Sequence, residues 1–178
     1  MNICLYGAGS TDIKAKYIED GYHLGEEIAK RGHKLVFGGG DTGIMGAVSK
    51  GVLENDGEIL GIAPEWIDYF EALRRDCTEF IYTETMDERK KLFLEHSDCF
   101  IIAPGGIGTM DEFFEALTLR ALERHDKKIV LFNSNGYYDK MLEMFEYMED
   151  EGVMRNRNRK ALFVVKNTVE EVLDYLEE

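Results

Sequence analysis

Proline is nearly missing, with two residues in 178 (Pro64 and Pro104). No proline-rich linker therefore divides the chain, and a single domain over residues 1–178 is expected. The three cysteines (Cys4, Cys77 and Cys99) are an odd, scattered set without CxxC spacing. That excludes a disulfide framework, offers no zinc signature and fits a reducing cytoplasm. His23, His33, His96 and His125 show no HExxH or paired spacing, so no metal site is expected. No apolar run approaches the roughly 20 residues needed to cross a bilayer. The opening MNICLYGAGS lacks the basic and apolar regions of a secretion signal, and none is expected. Positive charge is also short: 21 basic against 35 acidic residues leave a net charge of −14. Neither nucleic acid nor an anionic membrane is an expected partner, and any anionic ligand must be held by a local site.

The remainder is ordinary for a folded domain, at 44% hydrophobic and 31% charged, with 18 glycines for turns and close approaches. Short β-rich runs alternate with helical patterns from end to end. Strands are expected at 2–6, 34–37, 58–63, 79–83, 98–103, 128–132 and 161–165. Helices are expected over 11–31 (closed by Gly32), from the glycine-rich turn to about 55, and over 86–97. Three more run to about 124, over 138–150 and over 168–177. Residues 64–78 are less regular, with room for a short helix. Seven strands interleaved with helices require right-handed βαβ crossovers. The expectation is an α/β, Rossmann-like, doubly wound parallel sheet of about seven strands with helices on both faces. Ligands in such sheets lie at the carboxyl ends of strands, near the switch in strand order.

Two glycine-rich motifs fall at that edge. In PGGIGT (Pro104 to Thr109), Gly105, Gly106 and Gly108 let backbone N–H groups approach an oxyanion, with Ile107 inside the same turn. Thr109 adds a hydroxyl and the following helix its positive end, which suits a phosphate monoester. The motif lacks the Gly-Lys-Ser/Thr ending of a P-loop and the GxGxxG spacing of a dinucleotide site. Its alternative is a turn that only makes a strand-to-helix corner. In GGGDTGIMG (Gly38 to Gly46) the glycines again allow close backbone approach, or serve helix–strand packing alone. Ile44 and Met45 read as core residues by spacing, and Gly39, Gly40 and Met45 are carried as candidates to line the site.

Charged candidates flank these turns. Asp111 and Glu112 lie one turn into the helix after PGGIGT, within reach of a ligand over the loop, or as solvated first-turn acids. Arg89, Lys90 and Lys91 precede the strand at 98–103, and Arg89 can fork onto a phosphate or carboxylate. The same run also reads as a solvated helix face. Arg155, Arg157, Arg159 and Lys160 lack interleaved aromatics and read as a loop face or interface.

GGGDTGIMG, ERKK at 88–91, PGGIGTMDE and NGYYD at 135–139, in this order and spacing, resemble the LOG ("Lonely Guy") family. These are cytokinin riboside 5′-monophosphate phosphoribohydrolases, often labelled possible lysine decarboxylases, and the resemblance covers nearly the whole chain. It implies hydrolysis of the N-glycosidic bond of a nucleoside 5′-monophosphate to free base and ribose 5-phosphate, without cofactor or metal. It further implies Arg89 and Glu112 as the catalytic pair and Gly105, Gly106, Gly108 and Thr109 as the phosphate seat. Glu71, 18 residues before Arg89, and Thr118 correspond to substrate-contacting positions. Lys90, Ile107 and Asp111 lie within the same motifs. A homodimer with sites lined by both subunits is also implied. No pyridoxal-phosphate lysine motif supports the decarboxylase label. Asp87, Leu119 and Ala121 stand where the family usually has His, Trp and Gln, and the first turn reads YGAGS. These departures bear on base recognition rather than on the bond-breaking pair. The alternative function is a non-catalytic nucleotide or molybdenum-cofactor carrier, since such carriers share the fold and a similar loop. A carrier has no need of Arg89 and Glu112 together.

Overall fold

Within each strand the apolar residues alternate sides, and each side has its own helices to bury them. The computed structural model describes residues 1–154 and 162–178. Its strands are β1 (Asn2–Tyr6), β2 (Lys34–Phe37), β3 (Ile59–Pro64), β4 (Glu79–Thr83), β5 (Cys99–Ile102), β6 (Lys128–Phe132) and β7 (Val164–Lys166). Its helices are α1 (Ala15–Lys30), α2 (Gly43–Glu54), α3 (Met86–His96), α4 (Ile107–Ala121), α5 (Asp139–Asp150) and, numbered here α6, Val169–Glu177. The sheet runs β4-β3-β2-β1-β5-β6-β7, and every neighbouring pair is parallel. The chain thus winds outward from β1 to β4, crosses back to β5 on the other side of β1, and winds outward again. The switch in direction lies between β1 and β5, where a crevice opens at their carboxyl ends.

Ile3 and Leu5 of β1, Leu35 and Phe37 of β2, and Cys99 and Ile101 of β5 face α1, α2 and α6. Cys4, Tyr6, Val36, Phe100 and Ile102 face Phe93 of α3, Phe113 and Leu117 of α4, and Phe145 of α5. This period-two division is what a sheet covered on both faces requires. Thr168 caps α6 through a reciprocal pair of bonds with Glu171.

The expected doubly wound sheet of seven parallel strands is therefore observed, with differences at element ends. The first helix begins at Ala15 rather than 11, because the Asp12 N–H is turned onto the Ser10 hydroxyl at 3.2 Å. Gly32 does follow α1 with positive φ, as expected. The fourth helix stops at Ala121, not at about 124, and Glu123 takes φ 58° beyond its end. The irregular stretch after β3 carries a 3₁₀ turn at Glu65–Tyr69. The last strand is Val164–Lys166 instead of 161–165. Ala161 and the basic run Arg155, Arg157, Arg159 and Lys160 lie outside the described residues. Cys4 and Cys99 are buried and Cys77 half-buried, none in a disulfide.

Candidate active site

The turn after β5 delivers α4 to the crevice, and among the described residues no side chain caps its first N–H groups. Gly106 is the residue before the helix, in an extended conformation and without a side-chain cap. The unserved donors and the helix dipole together make this end attractive to an anion. A β-carbon on Gly106 or Gly108 would meet nothing within 4 Å, so both face open space. Gly105 is different: a β-carbon there would fall 2.1 Å from the Thr109 hydroxyl, which lies folded over it. The turn is held by the Ala8 N–H on the Pro104 carbonyl at 3.0 Å. Tyr138 Oη donates to the Ala103 carbonyl at 2.6 Å and Tyr137 Oη to the Gly105 carbonyl at 2.8 Å.

Beside this turn lies a buried charged centre. Thr85 starts α3 by accepting the Glu88 N–H at 3.1 Å, and one turn on, Arg89 points inward with only 5% exposure. Its guanidinium stands 3.6 Å from Glu112 Oε1 of α4, whose side chain is 11% exposed. The guanidinium also lies 5.2 Å above the Phe93 ring and donates Nη1 to Met86 Sδ at 3.7 Å. Arg89 Nε is buried without a partner. Burial raises the Glu112 carboxyl from 4.5 to about 7, against the opposing pull of Arg89; Asp111 and Glu71 add to the rise. Glu71 is raised for the same reason, also against Arg89, and its Oε1 is buried without a partner. One arginine thus serves two carboxylates.

The turn GGGDTG after β2 makes room for these side chains. A β-carbon on Gly38 would sit 2.0 Å from Arg89 Nη2, and one on Gly40 would sit 2.4 Å from Glu71 Oε1. Sequence reading offered these glycines as space for a ligand; the protein's own side chains fill it. Gly39 in turn packs on Phe80, and neither Gly39 nor Gly40 lines the crevice. The turn is edged by the segment that carries Glu71, with Asp41 N–H on Ala72 O and Arg74 N–H on Gly39 O, both 2.8 Å. Arg74 closes it with an ion pair to Asp41 at 2.6 Å.

Together these pieces enclose a cleft of about 520 Å³. Of the residues singled out from sequence, Met45, Glu71, Arg89, Gly106, Gly108, Thr109, Asp111 and Glu112 line it. Others do not. Lys90 turns away to Glu115 and Asp111 of α4, at 2.5 and 3.3 Å. Ile107 points out of the turn with 91% exposure, and Thr118 is exposed on α4 more than two turns beyond Thr109. Gly7 to Ser10 of the first turn, Ile67, Phe70 and Met86 also line the cleft. Sequence reading tied the first turn to base recognition without naming its residues as part of the site, although the switch-point rule puts the turn after β1 there, and it missed Ile67, Phe70 and Met86.

Comparison with known proteins bears on the family and the fold of the chain. The family model described as "Possible lysine decarboxylase" matches residues 45–176. The cytokinin riboside 5′-monophosphate phosphoribohydrolase of Mycobacterium tuberculosis is 37% identical over 93% of this chain and 88% of its own. The enzyme of that name called LOG5, from Arabidopsis thaliana, is 35% identical over 98% of this chain and 76% of its own. Among solved structures, the Moco carrier protein of Chlamydomonas reinhardtii superposes with a TM-score of 0.74 at 21% identity, covering 99% of this chain and 94% of its own. The molybdenum cofactor binding protein of Rippkaea orientalis gives 0.71 at 20%, covering 99% and 93%. At that identity the two structures speak for the fold alone.

Proposed function

The chain belongs to the LOG family, that of the cytokinin riboside 5′-monophosphate phosphoribohydrolases, and from that premise we propose that it hydrolyses the N-glycosidic bond of a nucleoside 5′-monophosphate. The substrate is of the AMP or cytokinin riboside type, and the products are free base and ribose 5-phosphate. The observation that carries the reading is the buried Arg89–Glu112 pair, 3.6 Å apart, set against the open start of α4.

In this reading the 5′-phosphate occupies the start of α4, on the N–H groups of the Gly106–Thr109 turn and the Thr109 hydroxyl. The apolar wall of Met45, Ile67 and Phe70 supports the base. That leaves the ribose over Glu112. As the bond from C1′ to the base nitrogen breaks, its electron pair leaves with the base and positive charge grows on the sugar. An ionised Glu112 stabilises that charge and accepts a proton from the attacking water, whose oxygen bonds to C1′. The proton can pass on to the departing base. Arg89 favours the ionised form of Glu112 and so offsets part of the rise that burial imposes. Among the described residues, the cleft lining holds no lysine on which a decarboxylase could form a Schiff base.

The assembly is a homodimer in the same reading, supported by an apolar stripe along α4 and the residue that ends it. Ile107, Phe114 and Leu122 are 91%, 40% and 50% exposed on one face, and Thr118 lies among them. Three unpaired cysteines support a reducing, cytoplasmic setting. Among the described residues no helix is long and apolar enough to cross a membrane.

Purified protein incubated with AMP and a panel of other nucleoside monophosphates tests the activity, with free base scored by chromatography. The expected result is base release that is lost in Glu112→Gln and Arg89→Ala. Nucleotide binding without release from any member of the panel removes the hydrolase and leaves a nucleotide or cofactor carrier.

A further inference from the structure

The segment NGYYD between β6 and α5 takes no part in the chemistry above, yet it is built with care. Asn135 and Gly136 both adopt positive φ, at 52° and 72°. Asp20 of α1 accepts the Asn135 side-chain amide at 2.9 Å and the Ser134 hydroxyl. Asn133 accepts the Tyr138 N–H at 2.7 Å and donates its amide to Asp139 at 2.8 Å. The turn so fixed presents two tyrosine hydroxyls to successive parts of the β5–α4 turn. Tyr138 is buried and holds Ala103, while Tyr137 is at the edge of exposure and holds Gly105. The Tyr137 ring is itself fixed edge-on against Tyr17 and Tyr138, with centroids 5.4 and 4.8 Å away.

The consequence follows from the geometry of one peptide unit. The bond between Gly105 and Gly106 is trans, so its carbonyl and its N–H lie in one plane and point in opposite directions. A peptide between two glycines can turn over with little steric resistance, because neither neighbour has a β-carbon to oppose it. Tyr137, which does not line the cleft, captures the carbonyl, and the opposed N–H belongs to Gly106, which does line it. The geometry points to Tyr137 as a positioning residue that locks the Gly105–Gly106 peptide in the orientation that receives a phosphate. The inference rests on the reading of this turn as the seat of a 5′-phosphate. Ligand contact by Tyr137 is not required, and the residue acts through the backbone it holds.

Tyr137→Phe removes the hydroxyl and keeps the ring contacts, so the fold is expected to be retained with a melting temperature close to that of the parent. Binding of ribose 5-phosphate by calorimetry reads the phosphate seat independently of turnover. The variant is expected to bind it about five- to tenfold more weakly, the span of one lost hydrogen bond. KM for AMP should rise by a similar factor with kcat changed less than about twofold, a split that a merely structural role would not produce. In the parent the Gly106 amide resonance should shift on adding ribose 5-phosphate, and in the variant less so. Equal ribose 5-phosphate affinity in parent and variant would overturn the inference. So would an early-melting variant that loses kcat and binding together, or a parent that does not bind ribose 5-phosphate. Tyrosine-dependent binding of ribose 5-phosphate without base release from any nucleotide would uphold this inference while removing the hydrolase.

Discussion

Burial lifts the Glu112 carboxyl from 4.5 to about 7 while Arg89, 3.6 Å away, pulls it back. The folded protein therefore holds this proton more tightly than the unfolded chain does. The associated stability is complete below about pH 4.5 and is lost as pH rises through about 7. Glutamine fills the same space and carries no charge at any pH. Glu112→Gln should accordingly be more stable than the parent at pH 8, by on the order of 2 kcal/mol, with the gap closing towards pH 5. Denaturant melts at both pH values measure this, and a variant that is less stable at pH 8 contradicts it. The same substitution should lower kcat by about a hundred- to a thousandfold, the scale of losing one group that stabilises developing charge. Because the ionised form is the competent one, kcat/KM of the parent should fall on the acid side with a midpoint near 7. Arg89→Met removes the lowering influence and should move the Glu112 midpoint upward, read by carboxyl-carbon NMR titration of the folded variant rather than by turnover.

At the scale of elements, two glycines with the same steric room have opposite meanings. A β-carbon at Gly25 would stand 2.0 Å from the Val48 carbonyl oxygen, where α1 crosses α2 backbone to backbone. A β-carbon at Gly38 would stand 2.0 Å from the tip of Arg89. Backbone cannot give way without separating two helices, whereas a guanidinium can swing aside. Gly25→Ala should therefore destabilise by about 1–3 kcal/mol with activity per folded molecule retained. Gly38→Ala should leave stability within about 1 kcal/mol and cut kcat/KM by about tenfold or more, by displacing Arg89 from Glu112. Thermal melts alongside steady-state kinetics separate the two, and a Gly38→Ala enzyme of full activity would refute the second. The periodic pattern alone gives no sign of this difference, because a glycine inside a helix reads only as a weak helix former.

At the scale of the molecule, the stripe of Ile107, Phe114 and Thr118 on α4 with Leu122 just past its end begins beside the cleft and continues beyond it. A second copy packed there would cover exposed apolar surface and bring its own residues close to the neighbouring cleft. Light scattering should give twice the chain's mass for the parent, and Phe114→Glu, which puts a charge in the stripe, should shift the mass towards one chain. A parent that is monomeric at micromolar concentration rules the dimer out. The excess of 14 negative charges places few demands on the site, since the donors of the α4 turn act locally and the field of distant exposed acids is screened over about 10 Å at ordinary salt.

Alternation of buried strands with amphipathic helices was sufficient to specify the doubly wound sheet, because strand and helix periods are local properties of the chain. The PGGIGT turn and the acid one turn beyond it were legible for the same reason: glycine spacing and helix starts are written in adjacent residues. The element ends at Ala15 and Ala121 were less so, since single hydrogen bonds and one positive φ decided them. What only the tertiary structure decided is which charges are buried. Lys90 and Arg89 are neighbours in sequence, yet the first pairs with Asp111 and Glu115 and the second enters the cleft. Gly38, Phe93 and Glu112 make that difference, and they come from three separate elements. Desolvation is a property of what surrounds a group in space, and sequence adjacency carries no record of it.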